Sequence, residues 1–158
     1  MPNYVAWSAE KAVEVITAKA DLEGPLMPIL HALVDTFGYA PDEAVPLLAG
    51  ILNLSRADVH GVLTFYHDFR RQPAPRHVVK LCQAEACQAR GSVALTEHAE
   101  KALETHIDPH GHANKQGVSL EPIYCLGLCA SGPSALIDGR PHARLTPARF
   151  DALMAETV

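Results

Sequence analysis

The chain has 158 residues, of which 48% are apolar and 20% charged, and its net charge is −5 at neutral pH. This length suits one domain or two small ones, with ample apolar material for a core. The negative balance gives no overall basic field to attract nucleic acid. No secretory signal is predicted, and the longest apolar run, AVPLLAGIL, is too short to cross a bilayer.

The first 70 or so residues are predicted to form a small bundle of four short amphipathic helices. Ser8 is expected to cap the first helix, and Ser55 opens the fourth with a capping-box pattern. Gly38 stands where the second helix ends, and the third is predicted to begin near Asp42. The apolar face of the first helix is predicted to contain Ala9, Val13, Ile16 and Ala20.

The segment RRQPAPR, residues 70–76, has the composition of an extended linker. We therefore predict two domains, a helical bundle over residues 1–72 and a second domain over residues 73–158. The second domain is predicted to have the order β-α-β-β-β-α, with Ser92 capping its first helix and a hairpin turning at Asp138-Gly139. The predicted class is α+β, a bundle followed by a domain with a mixed sheet. The predicted strands cover residues 77–82, 118–124, 134–137 and 143–145.

The four cysteines of the chain form two close pairs. Cys82 and Cys87 have the spacing C-x4-C, and Cys125 and Cys129 have the spacing C-x3-C. Each pair begins at the end of a predicted strand. If these strands are parallel, joined by a right-handed helical crossover, both loops leave the same edge of the sheet and the four sulfurs can converge.

Four kinds of chemistry can use such a set of cysteines. A [2Fe–2S] cluster takes two thiolates on each iron, so each pair would serve one iron. Structural zinc also takes four sulfurs, but usually through C-x2-C knuckles. A dithiol redox site is not supported because C-x-x-C is absent. Four buried cysteines used only as small apolar groups complete the set. The spacing favours an iron–sulfur cluster and leaves the others open.

Two separated motifs carry a resemblance to a known family. C-x4-C followed at a distance by CLGxC and a nearby proline, together with HGVLTFYHDF at residues 60–69, resembles the thioredoxin-like [2Fe–2S] ferredoxin subunits of NADH:quinone oxidoreductase (complex I). The same module occurs in NAD-reducing hydrogenases and in NAD-dependent molybdenum formate dehydrogenases. The resemblance implies a thioredoxin-like second domain and one [2Fe–2S] cluster. It implies that the cluster ligands are Cys82, Cys87, Cys125 and Cys129.

The resemblance also implies a role without a catalytic site. In this family the module exchanges electrons with a subunit that holds FMN and binds NAD(H). LCQAEACQARG and HGVLTFYHDFR look most like the gamma subunit of formate dehydrogenase, which implies a cytoplasmic complex with a larger molybdenum catalytic subunit. Neither nucleic acid binding nor membrane insertion is implied. The alternatives are the equivalent subunit of complex I or of a hydrogenase, and, in another class, a zinc-stabilised interaction module without redox chemistry.

Residues beside the motifs lead to smaller predictions. Tyr124 is expected to shield the cluster from water, and Arg90 to be an ordinary solvated side chain. Phe65 and Tyr66 are expected to pack in a core or between domains. The bond before Pro133 is expected to be trans, from the base rate for proline.

A polar loop carries three histidines, His106, His110 and His112. A metal site is conceivable there, but a plain surface loop is predicted.

Overall fold

Four helices make up the N-terminal part of the chain in the computed structural model, which describes residues 4–157. The chain divides into two compact units, Met1–Ala74 and Pro75–Val158, and each is described by itself. The helices of the first unit are α1 (Ala9–Thr17), α2 (Leu26–Phe37), α3 (Ala44–Leu52) and α4 (Arg56–Phe65).

The ends of these helices follow the predicted signals. The Ser8 hydroxyl accepts a hydrogen bond from the Lys11 amide at 3.2 Å, and Ser55 accepts one from the Asp58 amide at 3.0 Å. Gly38 ends α2 in the left-handed conformation, with φ of 82°. These side-chain acceptors satisfy amide groups that a helix leaves without partners.

The buried face of α1 differs from the predicted one. Ala12 and Ile16 are fully buried, whereas Val13 is 38% exposed. Ala20 lies beyond the helix, which ends at Thr17. Ala9 and Val13 lie on the exposed side of the helix, whereas Ala12 and Ile16 face the core and Val15 packs beside them. The rest of the core of this unit comes mainly from α2 and α3.

The second unit is a four-stranded mixed sheet with helices. The strands are β1 (His77–Cys82), β2 (Val118–Ile123), β3 (Ala135–Ile137) and β4 (Arg140–His142). In the sheet order β2-β1-β3-β4, β1 pairs with β2 in parallel, and the other pairs are antiparallel. The α+β class and the mixed sheet are therefore confirmed. The helices are α5 (Glu85–Gln88), α6 (Ser92–Ala102) and α7 (Pro147–Thr157), with a 3₁₀ turn at Cys129–Ser131.

The last strand begins earlier than predicted. Asp138 and Gly139 adopt positive φ values of 48° and 78°, as a tight two-residue turn requires. Such a turn returns the chain at once, so β4 starts at Arg140 rather than at residue 143. The Asp138 carboxylate also accepts a hydrogen bond from the Val78 amide at 2.8 Å.

Of two helix starts predicted in this unit, one is confirmed and the predicted cap of the other is wrong. The pair Thr146-Pro147 predicts a helix start with proline at the first helical position. Thr146 does cap α7, because its hydroxyl accepts from the Arg149 amide at 3.2 Å. Ser92 does not cap α6. Gly91 takes the cap position with φ of 97°, and Ser92 becomes the first helical residue, with a buried hydroxyl that has no hydrogen-bond partner among residues 4–157. Across the same range, no helix is both long and apolar enough to span a membrane.

Candidate metal centre

Two cysteine-containing loops leave the sheet at the same edge. Cys82 is the last residue of β1, and Cys125 follows shortly after the end of β2. Because β1 and β2 are parallel, their carboxyl ends lie side by side, and the Gln83 amide donates to the Ile123 carbonyl at 2.8 Å. The parallel pairing expected from the crossover is confirmed.

Short turns place the second cysteine of each pair. Cys87 lies on α5, a helix of four residues that was not predicted, and its amide donates to the Ala84 carbonyl at 2.9 Å. Cys129 opens the 3₁₀ turn that leads toward β3. Each loop therefore folds back, so that its second cysteine returns toward its first.

The four thiols form two close pairs. The sulfur atoms of Cys125 and Cys129 lie 3.8 Å apart. Two ligands on one tetrahedral metal ion, each at about 2.3 Å, have nearly this separation. Cys82 is in hydrogen-bond contact with Cys87 and with the backbone of Cys125. The two cysteine loops therefore meet beside the end of β1.

Backbone amides point at the sulfur atoms. The Gly127 amide donates to the Cys125 sulfur at 3.5 Å. Burial raises the pKa of the Cys82 thiol, but hydrogen bonds to its sulfur, led by the Ala84 amide and including those of Cys125 and Leu126, outweigh burial and lower the pKa. The same donors would offset the negative charge of a thiolate-ligated cluster.

The pair Cys125 and Cys129 is better suited to bind a cation than to carry two thiolates alone. The pKa of Cys129 is raised, first by its hydrogen bond with Cys125 and then by repulsion from the Cys125 thiolate. The pair therefore resists losing both protons when no cation is near. A bound metal ion reverses this preference, since a coordinating thiol is deprotonated. Soft thiolate ligands are those of iron–sulfur clusters and of zinc, so the donor set fits such a centre.

A glycine leaves the room that one sulfur needs. Gly132 is buried, and a Cβ atom added to it would lie 3.1 Å from the Cys87 sulfur. Arg90 is exposed, as predicted, and it also donates from Nε to the Gly132 carbonyl at 3.1 Å, which links the two cysteine loops. The Gly132–Pro133 bond is cis, not trans as the base rate predicted. Proline bonds differ little in energy between the two forms, so local context decides.

The two cysteine pairs differ in burial. Cys82 and Cys87 are each 1% exposed, whereas Cys125 is exposed and Cys129 is partly buried. Tyr124 is 72% exposed, so its ring extends into solvent and the prediction that it shields this pair is wrong.

Phe65 and Tyr66 are also more exposed than predicted. Phe65 is 73% and Tyr66 44% exposed, so Phe65 in particular does not pack in a core. Their rings contact each other edge to face, with centroids 5.0 Å apart. Phe65 is the last residue of α4, and at this end of the helix its side chain is exposed to solvent.

Two of the three loop histidines lie beside separate carboxylates. His112 contacts the Asp108 carboxylate through Nδ1, and His106 Nδ1 lies 3.6 Å from a Glu100 oxygen. Within residues 4–157, no group of three or more His, Cys, Asp or Glu side chains is arranged to hold a single metal ion. This absence does not concern a [2Fe–2S] cluster, because each of its two irons binds only two protein thiolates.

Comparison with known protein families decides the wider relationship. The family model described as thioredoxin-like [2Fe-2S] ferredoxin matches residues 12–158. The chain belongs to this ferredoxin family. The family resemblance inferred from the two sequence motifs is therefore confirmed, and a thioredoxin-like fold with a [2Fe–2S] cluster is the property that its members share by description.

Relatives of this ferredoxin are subunits of larger oxidoreductases. It is 37% identical over 117 residues to a subunit of the NADH-quinone oxidoreductase of Escherichia coli, covering 74% of this chain and 69% of the relative. It is 26% identical over 147 residues to a subunit of an NADP-reducing hydrogenase from Solidesulfovibrio fructosivorans, covering 92% and 84%.

A solved structure shows the same fold. It belongs to an NAD+-reducing [NiFe]-hydrogenase, with a TM-score of 0.62 and 26% identity over 84% of this chain. The matched part is only 22% of that hydrogenase chain, so the ferredoxin corresponds to about a fifth of it.

Proposed function

We propose that this ferredoxin is the [2Fe–2S] electron-transfer subunit of a cytoplasmic NAD-dependent formate dehydrogenase complex. It exchanges electrons with a subunit that holds FMN and binds NAD(H), and a larger molybdenum subunit oxidises formate. The proposal assigns no substrate site to this chain. The observation that carries it is the meeting of two cysteine pairs at one sheet edge, with backbone amides directed at their sulfurs.

In the proposal, the four thiolates bind the cluster and the loop amides stabilise its charge. When bound, a [2Fe–2S] cluster supplies one-electron transfer. The buried pair, Cys82 and Cys87, anchors the cluster within the domain. The exposed loop of Cys125 provides the route by which electrons reach a partner. The ligands are proposed to be Cys82, Cys87, Cys125 and Cys129. The domains remain those proposed from the sequence, residues 1–72 and 73–158.

The choice among complexes rests on the sequence motifs. LCQAEACQARG and HGVLTFYHDFR support the formate dehydrogenase branch. The second candidate is the equivalent subunit of an NADH:quinone oxidoreductase or of a nicotinamide-linked hydrogenase, which the names of the relatives favour. Phe65 and Tyr66 support docking in either case, because exposed neighbouring aromatic residues are enriched at protein interfaces.

The first experiment separates an iron–sulfur protein from a zinc module. Protein prepared without oxygen is expected to be brown, to contain two irons and two labile sulfides, and to give an EPR signal after dithionite reduction. Replacing Cys125→Ser is expected to weaken or displace the cluster. The control is Ser131→Ala in the same loop. One zinc with no iron or sulfide, or an unchanged spectrum in Cys125→Ser, would overturn the assignment.

The second experiment identifies the complex. The chain is purified with its native partners, and the large subunit is analysed for metal. Molybdenum and formate-dependent NAD+ reduction are expected. Nickel, or a membrane partner with quinone activity, would replace the formate branch by the second candidate and leave the cluster assignment intact.

A further inference from the structure

A buried serine contacts one of the candidate ligands. The Ser134 hydroxyl oxygen lies 3.6 Å from the Cys87 sulfur. Both residues are 1% exposed, so neither atom has ready access to water. This sulfur is the hydrogen-bond partner of that hydroxyl among residues 4–157.

The direction of this hydrogen bond follows from the state of the sulfur. A free thiol and a hydroxyl can each donate to the other. A metal-bound cysteine has lost its proton, so its sulfur can only accept, and the serine O–H must donate. In a buried site with low polarity, such a bond to a charged acceptor is stronger than it would be in water.

The backbone holds the serine in this position. The Ser134 carbonyl accepts a hydrogen bond from the Cys82 amide at 3.0 Å, which ties it to the end of β1. The following residue, Ala135, begins β3, and Ala135 pairs with Leu81. The sheet therefore holds the Ser134 hydroxyl against the Cys87 sulfur.

We propose that Ser134 is a positioning residue that raises the reduction potential of the cluster through its hydrogen bond to the Cys87 thiolate. The inference rests on the proposed cluster and its ligands. Reduction adds one electron, taken from a one-electron donor such as a reduced flavin, and no bond forms or breaks. Part of the added negative charge falls on the thiolates, so a donor to sulfur stabilises the reduced state more than the oxidised state.

The size of the effect follows from the strength of one hydrogen bond. Losing the hydroxyl is expected to decrease the equilibrium constant for reduction by roughly three- to tenfold. The midpoint potential therefore becomes more negative, while the iron and sulfide content stays the same.

The test is a redox titration of the cluster-containing protein, followed by EPR. Ser134→Ala and Ser134→Gly both remove the donor without adding volume, and Ser134→Thr keeps a hydroxyl. Ser131→Ala is the matched control, because its side chain makes no hydrogen bond to a sulfur in the described part of the chain. Iron and sulfide are measured in every sample.

A lower potential in Ser134→Ala or Ser134→Gly, with wild-type values in Ser131→Ala and Ser134→Thr, supports the proposal. An unchanged or higher potential with the cluster retained overturns it. Loss of the cluster in both Ala and Gly variants, with retention in Thr, also overturns it, because the hydroxyl would then serve assembly. A wild-type protein without iron and sulfide would instead defeat the proposed function, so the two failures are distinguishable.

Discussion

At the scale of single residues, the space around the Cys87 sulfur is the tightest constraint on the candidate centre. A methyl group at Gly132 would lie 3.1 Å from this sulfur and 3.4 Å from the Arg90 Cδ atom. A free side chain can yield by a few tenths of an ångström, but a sulfur bound to a metal is held in place. Filling this space is therefore more costly with the cluster present.

We expect Gly132→Ala to destabilise the cluster-containing domain by about 1–3 kcal/mol through overpacking. Its φ is −67°, so backbone strain does not contribute. The measurements are thermal unfolding and iron content. Gly61→Ala, where a Cβ meets nothing within 4 Å, is the control and should show no loss. Equal behaviour of the two variants would contradict the close contact.

Asp108 gives the stability of the second unit a predictable pH dependence. Its carboxylate accepts from the His110 amide at 2.9 Å and the His112 amide at 3.2 Å. Burial raises the pKa of Asp108, but these donors, together with contact to the His112 ring, outweigh burial and lower the pKa below 3.8. A carboxyl whose pKa is lowered by folding stabilises the protein above its unfolded pKa and loses that effect as pH falls through the folded pKa.

We therefore expect Asp108→Ala to lower the free energy of unfolding by about 0.5–1.5 kcal/mol at pH 7, because two backbone amides lose their acceptor. The deficit should shrink in acid, once the pH falls below 3.8, the unfolded value. Urea titrations at a series of pH values measure it. His106→Ala, at a side chain 94% exposed, is the control. A deficit independent of pH would refute the ionic role of the carboxylate.

The residues of the site were predictable only in part. Cysteine is rare, and two spaced pairs at strand ends point to a shared ligand without any coordinates. Ser134 has no such signal, because serine is common and its contact depends on how β3 returns beside β1. The hydrogen bond of Arg90 was missed for the same reason: its carbonyl partner at Gly132 is distant along the chain.

At the scale of elements, the β3–β4 hairpin depends on one turn residue. Asp138 adopts φ of 48° and accepts hydrogen bonds from the Val78 amide and from His77 Nδ1, both at 2.8 Å. Its side chain therefore joins the hairpin to β1. This brings together the strand that carries Cys82 and the strand that follows Ser134.

We expect Asp138→Ala to reduce the free energy of unfolding by about 1–3 kcal/mol, since it removes both acceptors and tolerates positive φ poorly. Asp138→Asn is the matched control, because asparagine keeps an oxygen acceptor and accepts the turn conformation. Chemical denaturation measures both. If the two variants lose the same stability, the bond to the Val78 amide is not the cause.

Elements with strong local signals were predicted well, and their exact limits less well. Pro147 and its preceding Thr146 mark α7 because both residues act on the first helical turn alone. α5 has four residues, too few to show any periodicity, so it was missed. Ser92 failed as a cap because Gly91 adopts the left-handed conformation and leaves the serine inside the helix.

At the scale of the whole molecule, the two units have separate cores, and all four cysteines belong to the second unit. A group that binds only the folded state adds its binding free energy to the stability of that state. Removing the cluster should therefore destabilise the second unit selectively.

We expect calorimetry of the cluster-containing protein to show the transition of the second unit moving to lower temperature after anaerobic treatment with a chelator and reductant. The transition of the helical unit should stay in place. Rebuilding the cluster with iron and sulfide is the control and should restore the original trace. A uniform shift of all unfolding would show that the units do not respond separately.

The general architecture followed from the sequence because chain order restricts it. A strand, a helix and a second strand in one sheet favour a parallel pair, which fixed the common edge for both loops. The pairing of β3 with β1, which completes the sheet order, is not encoded in any local pattern. It arises from packing of the apolar faces around Phe150 and the strands.

Because the thiols are buried to different degrees, the metal-free protein is open to chemical modification at only some of its cysteines. Cys125 is open to solvent, while Cys82 and Cys87 are enclosed. An alkylating reagent or dissolved oxygen therefore meets the outer loop first, and early damage accumulates there while the inner thiols remain intact. After storage without the cluster, the protein would still be folded and would keep the buried thiols of Cys82 and Cys87, but the exposed Cys125 thiol would be modified.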